Sequence, residues 1–69
     1  MIKIHLSRLM GERKIKTAEL ARELGLSRGT ISALYYERAQ KIDVAVLNSL
    51  CKYFGCTLQD LIEYRPENK

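Results

Sequence analysis

The chain has 69 residues, of which 46% are hydrophobic and 29% are charged, and its formal net charge is +4. This length suits one domain, 1–69, with a small core, but it is too short to enclose a substrate pocket, so an enzyme is not expected. No apolar run approaches the roughly 20 residues of a membrane span, and residues 1–10 are too short and too broken by charge for a secretory signal.

Basic residues are concentrated in the first part of the chain. Residues 1–41 hold nine Lys or Arg against four Asp or Glu, whereas residues 42–69 hold three against four. Such an excess of positive charge is typical of a surface that binds a polyanion. Many solvated surfaces are also rich in lysine, so the charge alone is a weak indication.

The two cysteines and the single histidine do not form a recognisable reactive site. Cys51 and Cys56 are too few for a disulfide framework, and a structural zinc site needs four ligands. We therefore expect two reduced, buried thiols in a cytoplasmic protein without a metal or other cofactor. His5 has no acid–base partner near it in the sequence and is expected at the surface or at a helix start.

Abundant Leu, Ala, Glu, Lys and Arg, with one Pro and four Gly, predict an all-α chain. Residues 2–6 alternate between apolar and polar and fit either a short strand or the lead-in to a helix. Leu6, Leu9 and Met10 then predict a first helix that stops near Gly11.

Two short helices separated by a tight turn are predicted next, at about 17–24 and 28–36. Gly25 can end the first of them in the left-handed conformation, and Ser27 is a good N-cap for the second. The small side chain of Ala21 lets the two helices cross closely. The side chains predicted to bury their shared face are those of Leu20, Leu24, Leu26, Ile31 and Leu34.

The rest of the chain predicts two more helices. Asp43 is expected to cap a fourth helix that ends at Gly55, and Thr57 with Asp60 resembles a capping box for a last helix running through Ile62. The inward side chains of the fourth helix are predicted to be Val44, Leu47, Leu50, Cys51 and Phe54. The folded core should span about 6–64, followed by a polar tail at 65–69.

The segment ELARELGLSRGTIS resembles the helix-turn-helix core of the lambda-repressor-like (Cro/CI, XRE-type) family of phage and bacterial regulators. The segment IDVAVLNSLCKYFGCTLQDLIEY is similar to the fourth and fifth helices of that family. The resemblance implies a compact five-helix domain, with a helix-turn-helix at about 17–36, that binds double-stranded DNA by placing its third helix in the major groove.

The same resemblance implies a sequence-specific transcriptional regulator, with repression as the expected role, and no membrane or small-molecule partner. Family members commonly form homodimers on two-fold symmetric operators. In this chain a dimer would have to form through the fifth helix, the tail or the MIKI segment.

DNA-contacting positions are carried over from the family residue by residue. Arg28 and Gly29 match the first two positions of the recognition helix, where family members often contact bases. Ser32 and Ala33 match base-contacting positions one helical turn later. Thr17 stands where the family often has a phosphate-contacting Gln. The full predicted DNA-binding set is Thr17, Ser27, Arg28, Gly29, Thr30, Ser32, Ala33, Tyr36, Arg38 and Lys41.

The residues themselves support these roles unequally. Arg28 could pair with guanine through two hydrogen bonds, or it could be a solvated charge. Ser27 could cap the helix, contact phosphate, or do both, and either Tyr35 or Tyr36 could pack against the core instead of contacting phosphate. The family usually has an ending such as Asn-Gly after this helix, whereas this chain has Tyr36 and Glu37.

Two other functions compete with regulation of transcription. A protein-interaction module, such as an antitoxin or accessory subunit, is the main alternative because fold does not fix function. RNA binding is a weaker third reading, since the chain lacks the signature of a single-strand module. Loss of double-stranded DNA binding at low salt would favour the interaction module.

Overall fold

The computed structural model describes residues 1–67, in which five helices lie between two short strands. In chain order the elements are β1 (Ile2–Ile4), α1 (Leu6–Arg13), α2 (Thr17–Leu24), α3 (Arg28–Tyr35), α4 (Val44–Phe54), α5 (Leu58–Leu61) and β2 (Ile62–Tyr64). The predicted five-helix architecture is confirmed. None of the described helices is long and apolar enough to cross a membrane.

Helices α2 and α3 form the predicted pair, with bounds within one residue of those expected. Gly25 has a φ of +66° and ends α2 in the left-handed conformation. Its N–H donates to the Arg22 carbonyl at 3.3 Å, and the Leu26 N–H donates to the Ala21 carbonyl at 2.9 Å. This pair of bonds is a Schellman motif, which satisfies carbonyls at the end of α2 and reverses the chain into α3.

The core is formed by one side of each helix together with the end of β1. Its buried members are Ile4, Leu6, Leu9, Met10, Leu20, Ala21, Ile31, Leu34, Val46, Leu50, Phe54 and Leu61. Ala21 is only 2% exposed and Ile31 is fully buried, so the shared face of α2 and α3 is closed to solvent. Leu24 and Leu26 are half-buried against the same cluster.

One detail each of the predicted first and fourth helices is wrong. Helix α1 continues past Gly11 to Arg13, because a glycine inside a helix is only mildly unfavourable and Lys14 supplies the left-handed end, with a φ of +55°. Val44 is 78% exposed, and Val46 is buried in its place. The buried stripe of α4 begins at Val46 because Val44, at the first helical position, faces away from the core.

The two strands form an antiparallel sheet, whose second strand was not predicted. The register pairs Ile2 with Tyr64, Lys3 with Glu63 and Ile4 with Ile62. Residues 2–4 are therefore a strand, and Ile62 is extended instead of ending the last helix. The pairing reaches Arg65, whose N–H donates to the Met1 carbonyl at 2.8 Å. Residues 68 and 69 of the predicted polar tail lie outside the described residues.

Cys51 and Cys56 are free thiols, but each is half-buried instead of fully buried as expected. Both lie near the end of α4, where the Cys56 N–H donates to the Cys51 carbonyl at 3.1 Å. Burial raises the pKa of the Cys56 thiol, and the neighbouring Cys51 raises it further. A raised pKa keeps the thiol protonated near neutral pH and makes it a poor nucleophile.

A small polar cluster joins the outer side of the sheet to the start of α1. Glu63 accepts a hydrogen bond from Arg65 Nη2 at 3.2 Å, and its Oε1 also contacts His5 Nε2. The hydrogen bond from Arg65, and then that with His5, hold the pKa of the Glu63 carboxyl below its ordinary value of 4.5. His5 thus lies at the start of a helix, as expected, and contacts the sheet.

This cluster predicts a loss of stability in acid. Because the folded-state pKa of Glu63 is lowered, its contribution is present above pH 4.5 and is lost as the pH falls through the folded-state value. We expect the melting temperature of the parent to fall more steeply below pH 5 than that of Glu63→Gln. Parallel thermal melts between about pH 3 and 7 measure this difference. Identical pH profiles for the two proteins would contradict it.

Candidate nucleic-acid interface

Helix α3 begins with a side-chain cap at the surface. The Thr30 N–H donates to Ser27 Oγ at 3.1 Å, and the two side-chain hydroxyl oxygens are 2.8 Å apart. The capping role predicted for Ser27 is therefore present. Because the cap satisfies one free N–H group, it fixes where α3 starts and which residues occupy its first turn.

The outer face of α3 carries the residues predicted to meet base edges. Arg28 and Gly29 are exposed in the first turn, and Ser32 and Ala33 are half-buried one turn later. Apart from its two chain neighbours and the backbone of its own helix, a Cβ atom built on Gly29 would meet no atom of the described residues closer than Ser27 Oγ, at 3.9 Å. Packing within the described chain therefore does not require a glycine at this position.

An open groove of about 740 Å³ runs beside this face, between α3 and the loop that leads to α4. Half of the predicted DNA-binding set lines it: Ser27, Gly29, Thr30, Ala33 and Lys41. The structure thus brings the first turn of α3 and the basic loop together on one surface, with a cationic side chain, Lys41, on the loop side of the groove.

Other members of the predicted set lie around the groove. Tyr36 is 60% exposed just after α3, and the Arg38 guanidinium carbon lies 5.0 Å from the centre of its ring. This cation–π contact holds the Arg38 side chain against the surface. Tyr35 packs partly against the core. Of the two tyrosines that could have packed there, Tyr35 is therefore the one that does, and Tyr36 is exposed. Thr17 is half-buried in the first turn of α2, directly after the exposed Lys16.

Glu37 is the residue whose role sequence reasoning missed. It lies between Tyr36 and Arg38, where a carboxylate facing a phosphate would be unfavourable. In the structure its Oε1 accepts a hydrogen bond from the Ile4 N–H at 3.0 Å. The one indication in the sequence was the absence of a glycine after α3. It did not identify the Ile4 N–H as the partner of Glu37, because Ile4 is 33 residues away.

Comparison with known proteins agrees with this geometry. Residues 5–67 match the model of the Cro/C1-type HTH DNA-binding domain. The chain is 29% identical over 64 residues to the uncharacterized HTH-type transcriptional regulator YozG of Bacillus subtilis (strain 168), covering 93% of this chain and 76% of YozG.

A solved structure shows the same fold. It is the crystal structure of a Bacteroides fragilis protein that has been proposed to bind DNA, with a TM-score of 0.77 and 21% identity. The match covers 91% of this chain and all of that one. Because the family match covers most of the chain and includes both helices of the motif, the chain belongs to the family of Cro/C1-type helix-turn-helix DNA-binding domains.

Proposed function

We propose that the chain is a sequence-specific transcriptional regulator that binds double-stranded DNA with α3 in the major groove and acts as a repressor. The observation that carries this proposal is the exposed first turn of α3, where Arg28 stands beside a groove and a basic loop. The inner face of α3 is closed by Ile31 and Leu34, so only its outer side is free for DNA.

The residues divide into readers and positioning contacts. Arg28 is the candidate for bidentate pairing with guanine, and Ser32 and Ala33 follow one turn later. Gly29 would let the helix approach the DNA closely. The candidates for contacts with the sugar-phosphate backbone, which fix register without reading sequence, are Thr17, Ser27, Thr30, Tyr36, Arg38 and Lys41.

Repression is the regulatory role that needs least from the protein. A bound domain of this size excludes other proteins from its site by occupying it, whereas activation needs a further surface for a partner. The relative YozG is named a transcriptional regulator, which supports the broader role.

We infer that two copies bind together, through the outer edge of β2. The outer edge of β1 is occupied at Ile4 by the Glu37 carboxylate. On β2, the Ile62 N–H donates to the Leu58 carbonyl, so the outer edge is left around Tyr64. Tyr64 is 67% exposed, and its cross-strand neighbour Ile2 is 57% exposed. Two β2 strands related by a two-fold axis would pair antiparallel. The same two-fold axis would match the symmetry of a two-fold symmetric operator. Sedimentation of the complex tests this inference: two chains per site support it, and one chain per site contradicts it.

Salt dependence tests the proposed mode of binding. Because the first 41 residues carry most of the basic charge, log affinity for a duplex should fall linearly with log salt concentration. The expected slope is about −0.9 for each phosphate neutralised. Binding is measured by fluorescence anisotropy between low and moderate salt, with the single strand of the same sequence as the control. A flat response, or no binding to duplex at low salt, would favour the protein-interaction module.

A further inference from the structure

The C-terminal end of α3 is joined to strand β1 through one side chain. Glu37 Oε1 accepts a hydrogen bond from the Ile4 N–H at 3.0 Å, and Lys3 Nζ lies 3.9 Å from the same oxygen. The two partners are 33 residues apart in the chain. A contact over this separation is a tertiary link between the sheet and the proposed DNA-reading helix.

Glu37 makes this contact from a backbone conformation that favours glycine. Its φ is +57°. Its N–H donates to the Leu34 carbonyl at 3.2 Å, and the Arg38 N–H donates to the Ala33 carbonyl at 2.7 Å. These bonds form the same Schellman motif that ends α2, with Glu37 in the place that Gly25 takes there. A side chain at such a position costs free energy relative to glycine, so the carboxylate needs a compensating role.

The Ile4 N–H needs the partner that Glu37 provides. Hydrogen bonds from His5 to Leu61 and from Arg65 to Met1 set the alternation of the ladder, so the N–H of Ile4 points away from β2. Ile4 is only 7% exposed. A buried N–H without a partner is unfavourable, and the carboxylate satisfies it with a charge-assisted hydrogen bond.

We propose that Glu37 is a positioning residue for DNA recognition, an inference that rests on the proposed function. By tying the end of α3 to β1, it fixes the direction of the outer face that carries Arg28 and Ser32. It also places its negative charge 3.9 Å from the Lys3 ammonium, which partly offsets it. A glycine at this position would end the helix at a lower cost in free energy, but it could not accept the hydrogen bond from the Ile4 N–H that joins α3 to β1.

Two variants separate the effect of the hydrogen bond between Glu37 and Ile4 from the effect of the left-handed backbone that ends α3. Glu37→Gly removes the carboxylate while relieving the left-handed backbone, so the protein should stay folded. Glu37→Gln keeps an acceptor oxygen for the Ile4 N–H but removes the charge. Lys14→Gly is the matched control, because Lys14 ends α1 with a φ of +55°. Within residues 1–67 its N–H donates to the Gly11 carbonyl, and no ion pair joins Lys14 to β1.

Amide hydrogen exchange tests the tie without DNA. In Glu37→Gly we expect the Ile4 amide to exchange roughly tenfold faster, whereas Glu37→Gln should keep most of its protection. The His5 amide, which donates to the Leu61 carbonyl at 2.7 Å, is the internal reference and should not change. If the exchange rate of the Ile4 amide were unchanged in Glu37→Gly, the proposed hydrogen bond between Glu37 and Ile4 would be contradicted.

Specificity tests the positioning role. The ratio of affinities for a preferred duplex and a scrambled duplex should fall roughly tenfold in Glu37→Gly and stay near the parent value in Glu37→Gln and Lys14→Gly. If Glu37 were only a repulsive charge near the phosphates, Gly and Gln would both raise affinity for the two duplexes without changing the ratio, and the proposal would be wrong. If the parent chain preferred no duplex, the proposed function would be wrong. Exchange of the Ile4 amide would still test the hydrogen bond between Glu37 and Ile4.

Discussion

Ala21→Leu should lower the free energy of unfolding by about 1–3 kcal/mol, because it forces a larger side chain into a closed contact between two helices. Ala21 is 2% exposed, and its carbonyl accepts the Leu26 N–H that closes the turn. A longer side chain therefore has to push α2 and α3 apart. For a domain of this size each kcal/mol corresponds to a shift in melting temperature of roughly 4–8 °C.

The matched control is Ala18→Leu, which makes the same change on the exposed side of α2. Leucine and alanine have similar helix propensities, so this variant should melt within a few degrees of the parent. Chemical denaturation of the three proteins gives the free energies. Equal stability of Ala21→Leu and Ala18→Leu would contradict the close crossing of the two helices.

Arg28→Ala should weaken binding to the preferred site by about 1–3 kcal/mol and relax the preference at one base pair, most simply a G·C pair. Arg28 is exposed in the first turn of α3, and within residues 1–67 no carboxylate forms an ion pair with it. Its guanidinium is therefore free for a ligand. Removing it from the surface should change folding stability by no more than about 0.5 kcal/mol.

Arg38→Ala is the comparison variant. Arg38 lies after α3 and stacks on Tyr36, so it should contact the sugar-phosphate backbone and weaken all sequences by similar factors. Its loss should reduce the salt slope by about one. Both variants are measured on the preferred site and on its single-base variants. If Arg28→Ala weakens all sequences equally while Arg38→Ala changes base preference, the loop is the reader and the proposed docking is wrong.

The helix-turn-helix could be predicted because its signals are local. Gly25 supplies the left-handed end of α2, Ser27 caps α3, and the apolar spacing around them identifies the buried face. Each signal acts within a few residues, so it is readable without knowledge of the rest of the fold. The capping box of Thr57 and Asp60 was found for the same reason.

The features that sequence reasoning missed depend on distant contacts. Strand β2 has three residues, and its conformation is set by pairing with a strand at the other end of the chain. The role of Glu37 depends on the Ile4 amide, which no local pattern indicates. Val44 was assigned to the core because helical spacing from Leu47 fits it, but only the orientation of the first turn decides which valine is buried.

The DNA-contacting roles of individual residues remain predictions for a different reason. The structure shows that Arg28, Gly29 and Tyr36 are exposed, but exposure is compatible with any ligand of that surface. Base preference depends on how α3 docks in a groove and on the sequence presented there. These properties belong to the complex and not to the free chain.

Selection of bound duplexes from a random pool tests the central claim most directly. The full chain is incubated with the pool at fixed salt, bound duplexes are recovered over several rounds, and Arg28→Ala is selected in parallel. We expect the parent to enrich one motif in two inverted half-sites about one helical turn apart, and Arg28→Ala to lose the preference at one position in each half. Recovery of no common motif by the folded parent, or of the same motif by both proteins, would contradict base reading by the first turn of α3.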